Sequence, residues 1–272
     1  MPASGFGVVR AASATSMRRA SRAFSLVDVM VSIAVIGVLV SLMLPALSHI
    51  RESTRLIICQ SNLRQIGLGI GQYADEWDDY LAPSQFFGPN APLSQLPNNG
   101  IQLSQMMTLR TPASGKEGTQ RWDGLGLLYS TYQLSAPEIF YCPSHYGEHS
   151  FQRYALDWRV EEPALVGNYH YRGEGPNGAK RLRSVEPVRS ALVTDGLRTS
   201  RDVNHRIGMN VLRADLSVSW FGDTQSEIAN MLAAAGSSEP TTNQVMTSVW
   251  RRIDNPYLSP GGGTGGSGAP NQ

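Results

Sequence analysis

Cysteine and histidine are scarce in this 272-residue chain, which has two of the first, Cys59 and Cys142, and five of the second. Two cysteines cannot build a disulfide framework. They leave two readings open: a single Cys59–Cys142 bridge if the globular part lies outside the cytoplasm, or two free buried thiols. Strong charge of either sign is also absent. The formal net charge is +1, which gives no general electrostatic case for a nucleic-acid partner. The sequence has no G-x-S-x-G elbow, no Walker loop and no Cys/His pair at metal-ligand spacing. No catalytic residue and no metal ligand is assigned, and the chain does not read as an enzyme. Acidic residues are missing until Asp28, whereas Arg10, Arg18, Arg19 and Arg22 precede it.

One apolar run dominates what is present. From Phe24 to Leu47 the chain reads FSLVDVMVSIAVIGVLVSLMLPAL, 24 residues with one charge, Asp28. As a helix at about 1.5 Å per residue this is roughly 36 Å, enough to cross a bilayer core of about 30 Å. The run is too long for a signal-peptide core, and Pro45-Ala46-Leu47-Ser48 is a poor cleavage site for one. The arginines in front orient its N-terminal end toward the cytoplasm. Behind it, Arg51 is followed at once by Glu52. The expected protein crosses the inner membrane once, with its head in the periplasm. A carboxylate at the fifth position of such a helix is costly and calls for a partner, unless Asp28 stays wet at the cytoplasmic interface.

Phe-Ser-Leu-Val-acid behind a short basic leader, then a spanning run, resembles the N-terminus of type IV pilins and type II secretion pseudopilins. The resemblance implies cleavage between Ala23 and Phe24 by a prepilin peptidase and N-methylation of Phe24. It also implies that Asp28 pairs with the α-amino group of a neighbouring subunit, so that subunits stack in register. Gly37 and Pro45 are the fourteenth and twenty-second residues from Phe24, the two places where pilins carry helix breakers. Two residues depart from the family: Ala23 stands where Gly is usual before the cut, and Asp28 where Glu is usual. Ala remains small enough for a peptidase pocket. The leader begins at Met1 or, as the compact MRRASRA, at Met17.

The helix is expected to run on to about Glu76. Cys59, Leu63, Ile66, Ile70 and Tyr73 recur at the 4-3-4-3 spacing of one face. Arg51, Glu52, Arg55, Arg64 and Gln65 supply the polar side. Gly67, Gly69 and Gly71 either weaken its end, by about 1 kcal/mol each relative to Ala, or allow close packing on a sheet. The acidic cluster from Asp75 to Asp79 ends it. The segment CQSNLRQIG from Cys59 resembles the CxxNLRQIG stretch of a large pilin-like family abundant in planctomycetes.

In the head, residues 82–121 read as a long surface loop with a short helix near Leu103–Leu109. Gly124–Leu134 predicts a short helix packing Leu127, Leu128 and Tyr132. Glu138–Pro143 predicts a strand stopped by proline, and its Phe-Tyr-Cys-Pro resembles the same family's second cysteine site. Asn168–Arg172 and Ser190–Thr194 predict strands. Asn204–Phe221 predicts a β-hairpin turning at Ala214–Ser217. It fits the family pattern His-x-x-Gly-x-Asn-Val-Leu-x-Ala-Asp-Gly-Ser-Val-x-Trp, except that Leu216 replaces the turn glycine, which implies a different turn or strain. Thr224–Ala235 and Thr242–Arg252 predict helices that cap the sheet or extend beyond the family plan.

His145 and His149, near Pro143 and Gly147, read as a solvated turn; His170 reads as a packed strand residue. His205 reads as structural, holding the hairpin by hydrogen bonds. Asp195, Asp202 and Asp215 with loop carbonyls resemble the calcium loop of some pseudopilins but lack EF-hand spacing, so plain structural carboxylates are the other reading. Most aromatic residues read as core, with Trp158, in a charged run, as the exposed exception.

The predicted fold class is α+β, a long N-terminal helix packed on a small antiparallel head. Residues 1–23 form a removed leader and 24–76 the helix, with 24–47 in the membrane. Residues 77–258 form the extracytoplasmic head, and 259–272 a disordered Gly-rich tail. The expected function is that of a prepilin-like subunit of a secretion pseudopilus or pilus-like filament. Its expected partners are the prepilin peptidase, other pilin-like subunits and the inner membrane. The alternative is a single-pass anchored binding or scaffold protein that enters no filament.

Overall fold

A computed structural model describes residues 26–84, 106–111, 122–160, 163–205, 207–234 and 243–255. Ala23, Phe24, the leader, most of the 82–121 loop and the Gly-rich tail lie outside them. The fold is α+β, with an apolar N-terminal helix and antiparallel sheets. Helix α1 is Leu26–Glu76. The chain divides into two compact units at His49/Ile50, inside this helix rather than at its end.

In the first unit, the stretch Leu26–Leu44 has a mean hydropathy of 2.5 and none of it is buried. It is long and apolar enough to cross a membrane or to serve as a signal sequence. Its apolar side chains are exposed on every side of the helix. The helix assignment runs unbroken through Gly37 and Pro45.

In the second unit α1 becomes one-sided. Cys59, Leu63, Ile66, Ile70 and Tyr73 are all buried, as their spacing predicts. A four-stranded antiparallel sheet follows, in the order β3 (Tyr169–Tyr171), β4 (Ala191–Asp195), β5 (Gly208–Arg213) and β6 (Val218–Gly222). Side chains alternate across it. Tyr169, Tyr171, Val193 and Leu212 join the core with α1. Met209, Val211 and Phe221 join a second core with α3 (Glu227–Ala234) and α4 (Asn243–Asp254). Those two helices cover the sheet's other face. At Gly67 an added Cβ would stand 2.8 Å from Leu212 Cδ1, so the absence of a side chain lets helix and sheet meet.

The β5–β6 hairpin turns as predicted, and Leu216 takes the glycine's role itself. Its φ is +65°. Leu216 N–H donates to Arg213 O, and Arg213 N–H to Ser217 O, the pattern of a three-residue loop with a left-handed residue. The Leu216 side chain packs toward Gly71, where an added Cβ would lie 3.0 Å from its Cδ1. That packing offsets part of the backbone strain, which costs about 1 kcal/mol or more.

Several expectations fail locally. Pro137–Phe140 forms a 3-10 turn, not a strand, since Pro137 at its start favours the turn. Thr108–Arg110 is strand β1, paired with β2 (Leu165–Val166), where a helix is expected. Helix α2 is only Gly126–Ser130, and it buries Leu128. Tyr132 lies past its end at φ +66° and is exposed. Trp158 is buried, stacked on Phe140 at 5.7 Å and donating its Nε1–H to Tyr141 Oη. The charged neighbours of Trp158 mask a residue that faces the core.

Candidate functional site

Four side chains from four distant parts of the second unit meet beneath α1. Cys59 comes from the first buried turn of α1, and Asp195 from the last position of β4. Cys142 follows the 3-10 turn; its backbone N–H donates to Asn168 Oδ1 at 2.5 Å, and its carbonyl accepts from Asn168 Nδ2. His205 precedes β5 and bridges to Gly208. One ligand atom from each lies within 4.8 Å of the others, and all four residues are buried.

Cys59 Sγ donates to Asp195 Oδ1 at 3.1 Å. Cys142 Sγ is 3.6 Å from His205 Nε2, and His205 Nε2 is 3.9 Å from Asp195 Oδ2. A second ring holds the first. Tyr169 Oη donates to Cys59 Sγ at 3.3 Å. Asn210 N–H donates to Asp195 Oδ2 at 2.7 Å, and Asn204 Nδ2 to Asp195 Oδ1 at 3.2 Å. His205 Nδ1 is 3.0 Å from Glu52 Oε1, which also accepts from Ser144 Oγ. The Trp220 ring stands edge-on to His205 at 5.7 Å.

The electrostatics follow from burial and neighbours. Burial raises the Cys59 thiol well above its ordinary value, and its bond to Cys142 and the field of Asp195 add to this. Burial would also raise Cys142, but its bonds to Cys59 and His205 outweigh that and lower it. Asp195 is raised by burial against the pull of His205. Burial alone would lower His205, but its bond to Cys142 and the fields of Asp195 and Cys142 carry it up to about 9. The two thiols are thus pushed in opposite directions, Cys59 up and Cys142 down.

The order Cys142–His205–Glu52 is also that of a nucleophile, its base and an orienting carboxylate. The Cys142 residue is only 3% exposed, however, whereas reactive cysteines lie at partly open sites. The arrangement suits a closed structural centre better than an open reactive one.

The structure brings some predicted residues together and separates others. Cys59 and Cys142 are neighbours, present as free thiols. Asp195, Asp202 and Asp215 do not gather into a calcium loop: Asp202 bonds Thr199, and Asp215 accepts from Ser217 N–H in the hairpin turn. His145 and His149 lie in a loop, as predicted, but their side chains turn inward rather than into solvent. His145 Nδ1 is 2.6 Å from Asn204 Oδ1, and buried His149 contacts Tyr154 and Arg198. His170 is fully buried against Trp250. Asp28 lies in the first turn of α1 and is exposed. The four-residue cluster is missed by spacing, because its members are scattered from Cys59 to His205, with Cys59 and Asp195 alone 136 residues apart. Its only signal is that Cys59, Cys142 and His205 each stand in a family-like motif.

Comparison with known proteins finds no matching family model, no matching curated protein and no matching solved structure.

Proposed function

We propose that this chain is a prepilin-like subunit. It is cut between Ala23 and Phe24 by a prepilin peptidase, methylated on Phe24, and assembled through α1 into a pseudopilus or pilus-like filament at the inner membrane. The head is periplasmic and pilin-like, and its role is assembly rather than catalysis. The observation that carries this reading is the division of labour along α1. Leu26–Leu44 is apolar all round and unburied, whereas Cys59–Tyr73 is the one-sided spine of the head. An apolar stretch of 19 residues, none of it buried, calls for lipid, or for copies of itself, to cover it.

Asp28 supports assembly over simple anchoring. It is the one charge in the apolar run, in the first turn of α1, where a neighbouring subunit's new amino group would meet it. Such head-to-tail contacts do not close, so they propagate a filament. The test is Asp28→Ala, followed by separate assays of processing and of filament formation. Processing is expected to persist and assembly to fail. Normal assembly would remove the pairing from the account, and an anchored monomer in both variant and parent would favour the scaffold reading.

A further inference from the structure

We infer that Cys59, Cys142, Asp195 and His205 form a structural metal centre for a zinc-type divalent ion. The donor set is two sulfurs, one imidazole nitrogen and one carboxylate oxygen, the ligand types of closed four-coordinate zinc sites. Bonds of about 2.0–2.3 Å in a tetrahedron place donors roughly 3.3–3.8 Å apart. The observed separations of 3.1 Å (Cys59–Asp195), 3.6 Å (Cys142–His205) and 3.9 Å (His205–Asp195) bracket that range.

Three further features point to an ion rather than to hydrogen bonds alone. Asp195 is wholly buried against the Cys59 thiol, and within the cluster only His205 can carry a charge to balance it. Glu52 receives the far nitrogen of His205 at 3.0 Å, the carboxylate–histidine arrangement that orients a metal-binding imidazole. The Asn210 amide faces the same centre, with Nδ2 at 3.4 Å from His205 Nε2, and its Oδ1 is buried without a hydrogen-bond partner among the described residues. A Cys59–Cys142 disulfide would use the sulfurs alone and leave Asp195, His205 and their supporting ring unexplained.

The centre pins α1 to the sheet at one end of the head, since its ligands come from α1, the 141–150 loop, β4 and the approach to β5. It does not depend on whether the chain enters a filament. The test uses the full chain purified in detergent without reductant or chelator. Metal content is read by elemental analysis, thiols by titration before and after denaturation, and affinity by Zn²⁺ competition against a chromophoric chelator. One zinc-type ion per chain is expected, with both thiols shielded until the ion is removed. Co²⁺ in its place should show the thiolate-to-metal and tetrahedral absorption bands. Cys142→Ser and His205→Gln should lose the ion. Because those variants risk misfolding, Glu52→Gln, at a half-exposed side chain, is the sharper probe. It should keep the circular dichroism of the parent and bind Zn²⁺ about 10–100-fold more weakly. A Cys59–Cys142 disulfide, two free thiols with no Zn²⁺ uptake, or Zn²⁺ binding unchanged by both Glu52→Gln and His205→Gln would each overturn the assignment.

Discussion

Gly67 of α1 and Leu212 of β5 meet so closely that a methyl group on the glycine would stand 2.8 Å from the leucine Cδ1. This contact sets how near the helix lies to the sheet. Gly67→Val should therefore overpack the core and lower stability by about 2 kcal/mol, despite valine's better helix propensity. The thermal midpoint of the full chain should fall by roughly 4–8 °C. Gly37→Ala is the control, because nothing lies within 4 Å of an added Cβ there. It should leave that midpoint unchanged. Equal effects of the two substitutions would mean that Gly67 does not set the packing distance.

Leu216 holds a left-handed backbone while its side chain packs toward Gly71. Leu216→Ile keeps the apolar volume but brings a β-branch to positive φ, and should cost about 1–3 kcal/mol in denaturant unfolding. Leu216→Gly relieves the strain and loses the packing, two terms of similar size, so its stability should stay within about 1 kcal/mol of the parent. A stability gain for isoleucine would show that the turn has relaxed out of the left-handed region.

His149 should make the head acid-sensitive. Burial is the main cause of its low pKa, about 4; Asp202 pulls it back up, while Arg198, His145 and Arg153 add to the lowering. Arg198 Nη1 donates to His149 Nε2 at 2.5 Å, which leaves Nδ1–H to donate to Tyr154 Oη. Protonation would break the Arg198 bond and set two cations together. The unfolded chain binds this proton near pH 6.5 and the folded one near 4, so between those values the unfolded state holds more protons. The stability is full above pH 6.5 and is lost as pH falls through this window, by up to about 3 kcal/mol. His145, also lowered by burial, adds in the same direction. Thermal midpoints across pH 4–7 should show a slope that His149→Gln flattens. An unchanged slope in the variant would place the acid sensitivity elsewhere.

How much of this was legible in the sequence varies with the range of the forces involved. The buried face from Cys59 to Tyr73, strands β3 and β4, and the β5–β6 hairpin follow from periodicities of 3.6 and 2, which are local. The 3-10 turn at Pro137–Phe140 defeated the strand prediction because Ile139, Phe140 and Tyr141 are apolar for burial, not for strand pairing. Trp158 was hidden by its charged neighbours. The cluster of Cys59, Cys142, Asp195 and His205 could not be found by spacing, because only the tertiary fold brings these residues together.

Ala23 lies on the leader side of the proposed cut, so its size should control processing. Ala23→Trp should leave the basic leader attached and raise the apparent mass on a denaturing gel, whereas Ala23→Gly should process at least as well as the parent. Equal processing of all three would rule out a small-residue pocket at this position.

The most direct measurement of the central claim is the intact mass and N-terminal sequence of the mature protein isolated from membranes. The account predicts a chain that begins at Phe24, carrying one N-methyl group, with residues 1–23 gone. A chain that keeps its leader, or begins at any residue other than Phe24, would contradict it.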